Sequence, residues 1–207
     1  MPDHPSSPPR PDNLRRNIAA LAARLIAEEG IHDYGFAKRK AARQLGAPER
    51  ELPTNTEVEE ALRAWRDLYS DDEDKERLQE MRGAAVEAMR FFAPFRPYVT
   101  GGVLEGTAGA FSDVELEIYA DSAKDVEIFL LGKGLPYEHK EVRRRDHDAP
   151  EAVLLFDWGE VPMRLTIFDQ KAERAPRRSP TGAAREKMRL EAFEQLLTRT
   201  SHDEPQV

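Results

Sequence analysis

Residues 100–121 read TGGVLEGTAGAFSDVELEIYAD. Two adjacent glycines open the stretch, Gly106 and Gly109 follow, and from Asp113 onward acids alternate with apolar residues. Alternation of period two is the signature of a β-strand. Asp113, Glu115 and Glu117 therefore share one face, and Val114, Leu116 and Ile118 face the opposite way, into a core. Same-face neighbours on a strand lie about 6.5–7 Å apart, so Asp113 and Glu115 can act on one ligand. Gly101 and Gly102 can bring backbone N–H groups against an anion with no side chain in the way. Two readings of the stretch stand side by side: a solvated strand face, or a site for a metal ion and a nucleoside triphosphate.

On the N-terminal side the pattern is helical. Residues 13–29 place Leu14, Ile18, Leu21, Leu25 and Ile26 at helical spacing, with Asp12 or Asn13 as cap and Gly30 as stop. A second helix is expected over 33–45, capped by Asp33 and stopped at Gly46, and it is rich in base: Lys38, Arg39, Lys40 and Arg43. A third, 56–69, has the capping-box spacing of Thr56 and Glu59 and the stripe Val58, Leu62, Trp65, Leu68. A fourth, 72–92, begins in acids that complement the helix dipole and ends before Pro94 and Pro97.

Beyond residue 97 the texture changes. PYVTGG reads as a short strand entering a glycine turn, residues 122–134 as a helix capped by Ser122, and YEHKEVRR as a strand. EAVLLF and VPMRLTIF read as a hairpin with its turn at 157–160. Residues 170–182 form a loop rich in proline and arginine, and AAREKMRLEAFEQLLTR a closing helix. The fold class expected is α+β. A disordered tail (1–12) precedes a helical segment (13–92), an α/β domain with a mixed sheet (93–198) and a second tail (199–207).

The chain has 207 residues and a net charge of −8, which suits a buried core but not the wrapping of nucleic acid by overall charge. It has no cysteine, so disulfides, thiol catalysis and thiolate metal sites are excluded. No apolar run approaches the ~20 residues of a membrane span, and MPDHPSSPPRPDN lacks the apolar centre of a secretory signal. A cytoplasmic protein without a membrane partner is expected. The five histidines are scattered with no zinc spacing.

The layout of 100–121 resembles the nucleotidyltransferase superfamily related to polymerase beta, in particular its minimal members. Those carry a hydrophobic residue, Gly-Gly or Gly-Ser, about ten residues, then Asp-x-Asp/Glu. Here eleven positions separate Gly102 from Asp113, and Ser112-Asp113 matches the common Ser-Asp pair. The resemblance covers about 80–170, and the N-terminal segment resembles that of bacterial proteins carrying the same domain. It implies Mg²⁺-dependent transfer of a nucleoside monophosphate from ATP or another triphosphate to an acceptor, whether small molecule, protein or RNA. It further implies Asp113 and Glu115 as catalytic metal ligands, and Gly101, Gly102, Ser112 and Arg164 at the nucleotide.

The sequence departs from the family at two points. Gly102 stands where serine is usual, and the strand expected to bring a third carboxylate, VPMRLTIF, offers only Arg164 and Thr166 on the outward side. An arginine there can pair with Asp113 or Glu115, which suggests an alternative: the same fold kept as a binding or regulatory module without turnover. A third reading is a nucleic-acid binder using the basic helix together with Arg174, Arg177 and Arg178.

Overall fold

The structure is a computed structural model that describes residues 11–31, 33–69, 72–142, 149–175 and 185–203. The chain forms two compact units that divide between residues 71 and 72. The sequence places the helical segment at 13–92, but the fourth helix belongs with the sheet. Helical periodicity announces an apolar stripe without saying which neighbour the stripe will meet.

The first unit holds three helices among its described residues: α1 (Pro11–Glu29), α2 (Tyr34–Gln44) and α3 (Asn55–Tyr69). Its core is largely alanine, with Ala19, Ala22, Ala37, Ala41 and Ala42 around Ile18, Leu25 and Val58. Small side chains let the three helices approach closely. Asp33 caps α2, accepting from the Phe36 N–H at 2.7 Å, and Gly46 at φ +63° follows its end. The capping box of α3 is Thr54 and Glu57, two residues earlier than the expected Thr56 and Glu59: Glu57 accepts from the Thr54 N–H at 2.6 Å, and the Glu57 N–H donates back to Thr54 at 3.2 Å. The same Glu57 receives Arg15 of α1 in a two-pronged ion pair, at 2.8 Å from Nε and 2.9 Å from Nη2. Helix α1 starts at Pro11, inside the expected tail, with proline where a helix can spare an N–H.

The second unit is α4 (Asp72–Phe91), β1 (Tyr98–Thr100), α5 (Gly101–Glu105), β2 (Val114–Ala120), α6 (Ala123–Lys133), β3 (Glu138–Lys140), β4 (Ala152–Trp158), β5 (Val161–Asp169), β6 (Lys187–Arg189) and α7 (Leu190–Asp203). The strands lie in the order β3-β4-β5-β2-β1-β6. The β2–β5 pair is parallel and the other pairs are antiparallel. The mixed sheet and the α+β class are those expected.

The apolar half of β2 does what its alternation demands. Val114, Leu116 and Ile118 are buried, alongside Val99, Leu154, Phe156, Met163, Leu165 and Ile167 of neighbouring strands. Met81, Ala85, Ala88 and Met89 of α4, Val103 of α5, Val126 and Leu130 of α6 and Phe193 of α7 close this core. Trp158, in the hairpin, donates its indole N–H to Glu87 at 3.0 Å and packs edge-on against Phe91. Ser122 caps α6, which stops at Gly134 with φ +70°. No helix among the described residues is long and apolar enough to cross a membrane.

Three other expectations change. The glycine stretch after β1 is itself a short helix. The closing helix starts only at Leu190, because residues 187–189 pair with β1 as an edge strand. It runs to Asp203, into the expected tail. Tail residues 1–10 and 204–207 lie outside the described residues, as do His147, Arg177 and Arg178.

Candidate functional site

The face of the sheet opposite the core carries the polar rows. Register aligns Lys187, Thr100, Glu115 and Arg164 across β6, β1, β2 and β5, and beside them Arg189, Tyr98, Glu117 and Thr166. Asp113 sits just before β2. The alternation read from the sequence thus assembles Asp113, Glu115 and Glu117 on one face, and the parallel β2–β5 pairing brings Arg164 beside Glu115.

Each acid meets a guanidinium. Arg164 Nη2 donates to Asp113 Oδ2 at 2.6 Å, with the side chains 24% and 22% exposed. Arg185, which leads into β6, donates from Nη2 to Glu115 and to Thr100 Oγ1, the latter at 3.1 Å. Its Nε lies 3.7 Å from Glu117. Glu117 is 2% exposed and accepts from Tyr119 Oη at 2.9 Å. Lys187 Nζ donates in turn to Tyr119 Oη at 2.7 Å and to the Glu173 carbonyl at 2.6 Å, lying over the rings of Tyr98 and Tyr119. The Arg164 Nε is buried and has no hydrogen-bond partner among the described residues.

The glycines have specific reasons. Gly101 adopts φ +68°, and a Cβ there would lie 3.0 Å from the Glu115 carboxyl carbon. Glycine at this position lets the chain turn with its backbone pressed against the acid. At Gly102 a Cβ would meet the Ala108 nitrogen at 3.0 Å, since the loop curls back so that the N–H groups of Thr107 and Ala108 both donate to the Gly102 carbonyl. The missing serine is thereby explained by space. Ser112 is spent on its own turn, its Oγ accepting from the Gly109 N–H at 3.0 Å.

A second cluster on the same face surrounds Glu173. Tyr98 Oη donates to it at 2.7 Å, Arg189 Nη2 at 2.8 Å and Arg96 Nη1 at 2.9 Å. The Tyr98 bond first, and then the two arginines, hold the Glu173 carboxyl below its ordinary value against the opposing effect of burial. Burial first, and then the bond to Glu173, push the Tyr98 phenol up. Arg96 holds φ +49°, left-handed backbone that a non-glycine residue rarely adopts.

The resemblance implies Mg²⁺ at Asp113 and Glu115. Mg²⁺ wants near-octahedral oxygen ligands at about 2.0–2.1 Å and usually one or two free carboxylates. Here Asp113 and Glu115 are both engaged by guanidinium groups, and Arg164 stands in the register where a third carboxylate is expected. Among the described residues no group of three or more His, Asp or Glu side chains can hold a metal ion. In this arrangement the residues do not fit the ion.

Arg185, Thr100, Lys187 and Tyr119 are the members of the constellation that the sequence reading did not anticipate. A signal existed: Arg185, Lys187 and Arg189 alternate with period two. His139 is 57% exposed. Lys38 donates to Asn55 at 2.7 Å, and Lys40 pairs with Glu29, so two charges of the basic helix have partners within the first unit. No protein-family model matches the chain, and no curated protein or solved structure is significantly similar to it.

Proposed function

We propose that the second unit is a nucleoside-triphosphate-binding module of nucleotidyltransferase-like build that works without a metal ion and without turnover. The observation that carries this reading is the Arg164–Asp113 ion pair at 2.6 Å. In the family that residues 100–121 resemble, the strand beside Asp-x-Glu supplies a carboxylate. Here it supplies a cation, whose charge opposes a divalent ion and satisfies Asp113 instead. Arg164 and Arg185 are part-exposed, and a guanidinium has five donors arranged to suit phosphate oxygens. Bound phosphate would draw on donors that the carboxylates leave over.

A second reading is Mg²⁺-dependent transfer of a nucleoside monophosphate to an acceptor. It is favoured by the close seat of Gly101 on Glu115, which sets a side-chain-free turn directly against the acid row. It requires both arginines to leave the acids. Under either reading the partner is a nucleoside triphosphate, the acceptor is unidentified, and a cytoplasmic setting accords with a chain lacking cysteine.

Titration calorimetry with each of the four triphosphates, with Mg²⁺ and with a chelator, separates the readings. The binding module predicts equal affinity with and without Mg²⁺ and no pyrophosphate release. The transferase predicts binding that needs Mg²⁺ and disappears in Asp113→Ala/Glu115→Ala. Folded wild type that binds no triphosphate under any condition overturns both.

A further inference from the structure

We propose that Arg164 is the resident cation of the acid row: it stands in for a divalent ion and, together with Arg185, decides whether the row can hold a metal. The inference rests on the binding-module reading and names the residues that set its metal independence.

The backbone around residue 164 is arranged for a three-carboxylate site. Glu115 and residue 164 are direct neighbours on parallel strands, which run about 4.7–4.9 Å apart, and their side chains leave the same face. Asp113 lies one strand repeat before Glu115 and reaches the same space, as its 2.6 Å contact with Arg164 shows. A carboxylate at 164 would therefore converge with Asp113 and Glu115.

The surroundings do not fit a guanidinium well. Arg164 Nε is buried without an acceptor among the described residues, and leaving a buried donor unsatisfied is unfavourable. A pocket shaped around arginine would offer that donor a partner. Among the described residues the side chain's hydrogen bond is the one with Asp113, which makes charge compensation of the row part of what sets its position. Arg185 adds a second cation from a different element, bound to Glu115 and close to Glu117. Because Arg185 also occupies Glu115, the conversion is complete only when both arginines are changed.

The test measures Mn²⁺ binding by loss of the free-ion electron paramagnetic resonance signal, with no nucleotide present, on the full chain. Wild type is expected to show no saturable site. Arg164→Asp/Arg185→Ala is expected to gain one Mn²⁺ per chain, with an affinity that falls about 10-fold or more when Asp113→Asn is added. Arg164→Gln/Arg185→Gln serves if that variant does not fold: it removes both charges, frees Asp113 and Glu115, and should melt at a higher temperature with Mn²⁺ than without, a shift wild type lacks. Saturable wild-type binding that Asp113→Asn abolishes would overturn the proposal. So would a folded Arg164→Asp/Arg185→Ala that binds no more Mn²⁺ than wild type, or an Arg164→Gln/Arg185→Gln whose melting Mn²⁺ does not move. Since no nucleotide enters the assay, failure here leaves the triphosphate reading to its own calorimetric test.

Discussion

Gly101→Ala should destabilise the second unit through two separable effects, and a double-mutant cycle with Glu115→Ala can read them apart. The first is backbone. Gly101 holds φ +68°, and a residue with a Cβ in that region is unfavourable by about 1–2 kcal/mol. The second is contact. The new methyl would stand 3.0 Å from the Glu115 carboxyl carbon and 3.1 Å from Oε2, so the acid must move. Its ion pair with Arg185 joins side chains 31% and 29% exposed, a setting in which breaking the pair costs about 1 kcal/mol. The single substitution should therefore cost about 2–3 kcal/mol, of which about 1 kcal/mol is coupling that disappears when Glu115 is already alanine. The chain has two tryptophans, Trp65 in the first unit and Trp158 in the second. Urea unfolding followed by Trp158 fluorescence in a Trp65→Phe background reports on the second unit alone. Strictly additive costs would refute the contact half of this account, and a Gly101→Ala cost below about 0.5 kcal/mol would refute the backbone half as well.

Glu57 is held down to about 2, from 4.5, chiefly by its hydrogen bonds with Arg15 and further by those with Thr54. A depressed carboxyl stabilises the fold fully above its unfolded value and loses that contribution as pH falls from about 4.5 toward 2. Both partners are 38% exposed, so screening limits the effect to about 1 kcal/mol, and Glu57→Gln should flatten the acid limb of a pH–stability curve for the first unit. Gly102→Ser should destabilise the second unit by about 1–3 kcal/mol, because its Cβ meets backbone at Ala108 that cannot yield without opening the loop; urea midpoints check this. Glu173→Gln should lower the alkaline titration of Tyr98 seen by phenolate absorbance, because the acid that helps to raise it is gone while the lowering effect of Arg189 remains.

Much of the second unit was legible because its strands obey period two. The alternation of 113–118 assigned both faces of β2, and Ser122 marked the start of α6, whose end the sequence left between Gly132 and Gly134. Legibility failed where a residue answers to a distant partner. Thr54…Glu57 and Thr56…Glu59 satisfy the capping-box spacing equally, and local sequence does not choose between them; the pairing of Glu57 with Arg15, 42 positions away, goes with the first. Lys187, Met188 and Arg189 are good helix formers drawn into a strand by the free edge of β1, a tertiary contact overriding propensity. That Arg164 can pair with Asp113 or Glu115 was readable from the alternation; the choice of Asp113 was not. Arg185 was hidden because the helical reading of its segment gave it no reason to face the acids.

The sign of one stability change separates a row of acids held for a metal from a row held by its own arginines. Asp113, Glu115 and Glu117 follow one another on a single face. In a site kept open for a divalent ion, such like charges repel until the ion arrives, so neutralising one should stabilise the metal-free protein, as removal of strained functional groups commonly does. In the structure each acid already has a cationic neighbour, and Arg164 makes a charge-assisted bond to Asp113. Asp113→Asn should then destabilise the metal-free second unit by about 1.5–3 kcal/mol, the usual worth of a hydrogen bond to a charged group. Adding Arg164→Gln should recover part of that loss, because the unpaired cation is gone. Urea unfolding in a chelator, read at Trp158, measures both variants. A stabilised Asp113→Asn would mean that the guanidinium is a bystander and that the row is waiting for an ion, which would restore the Mg²⁺-dependent transferase to first place.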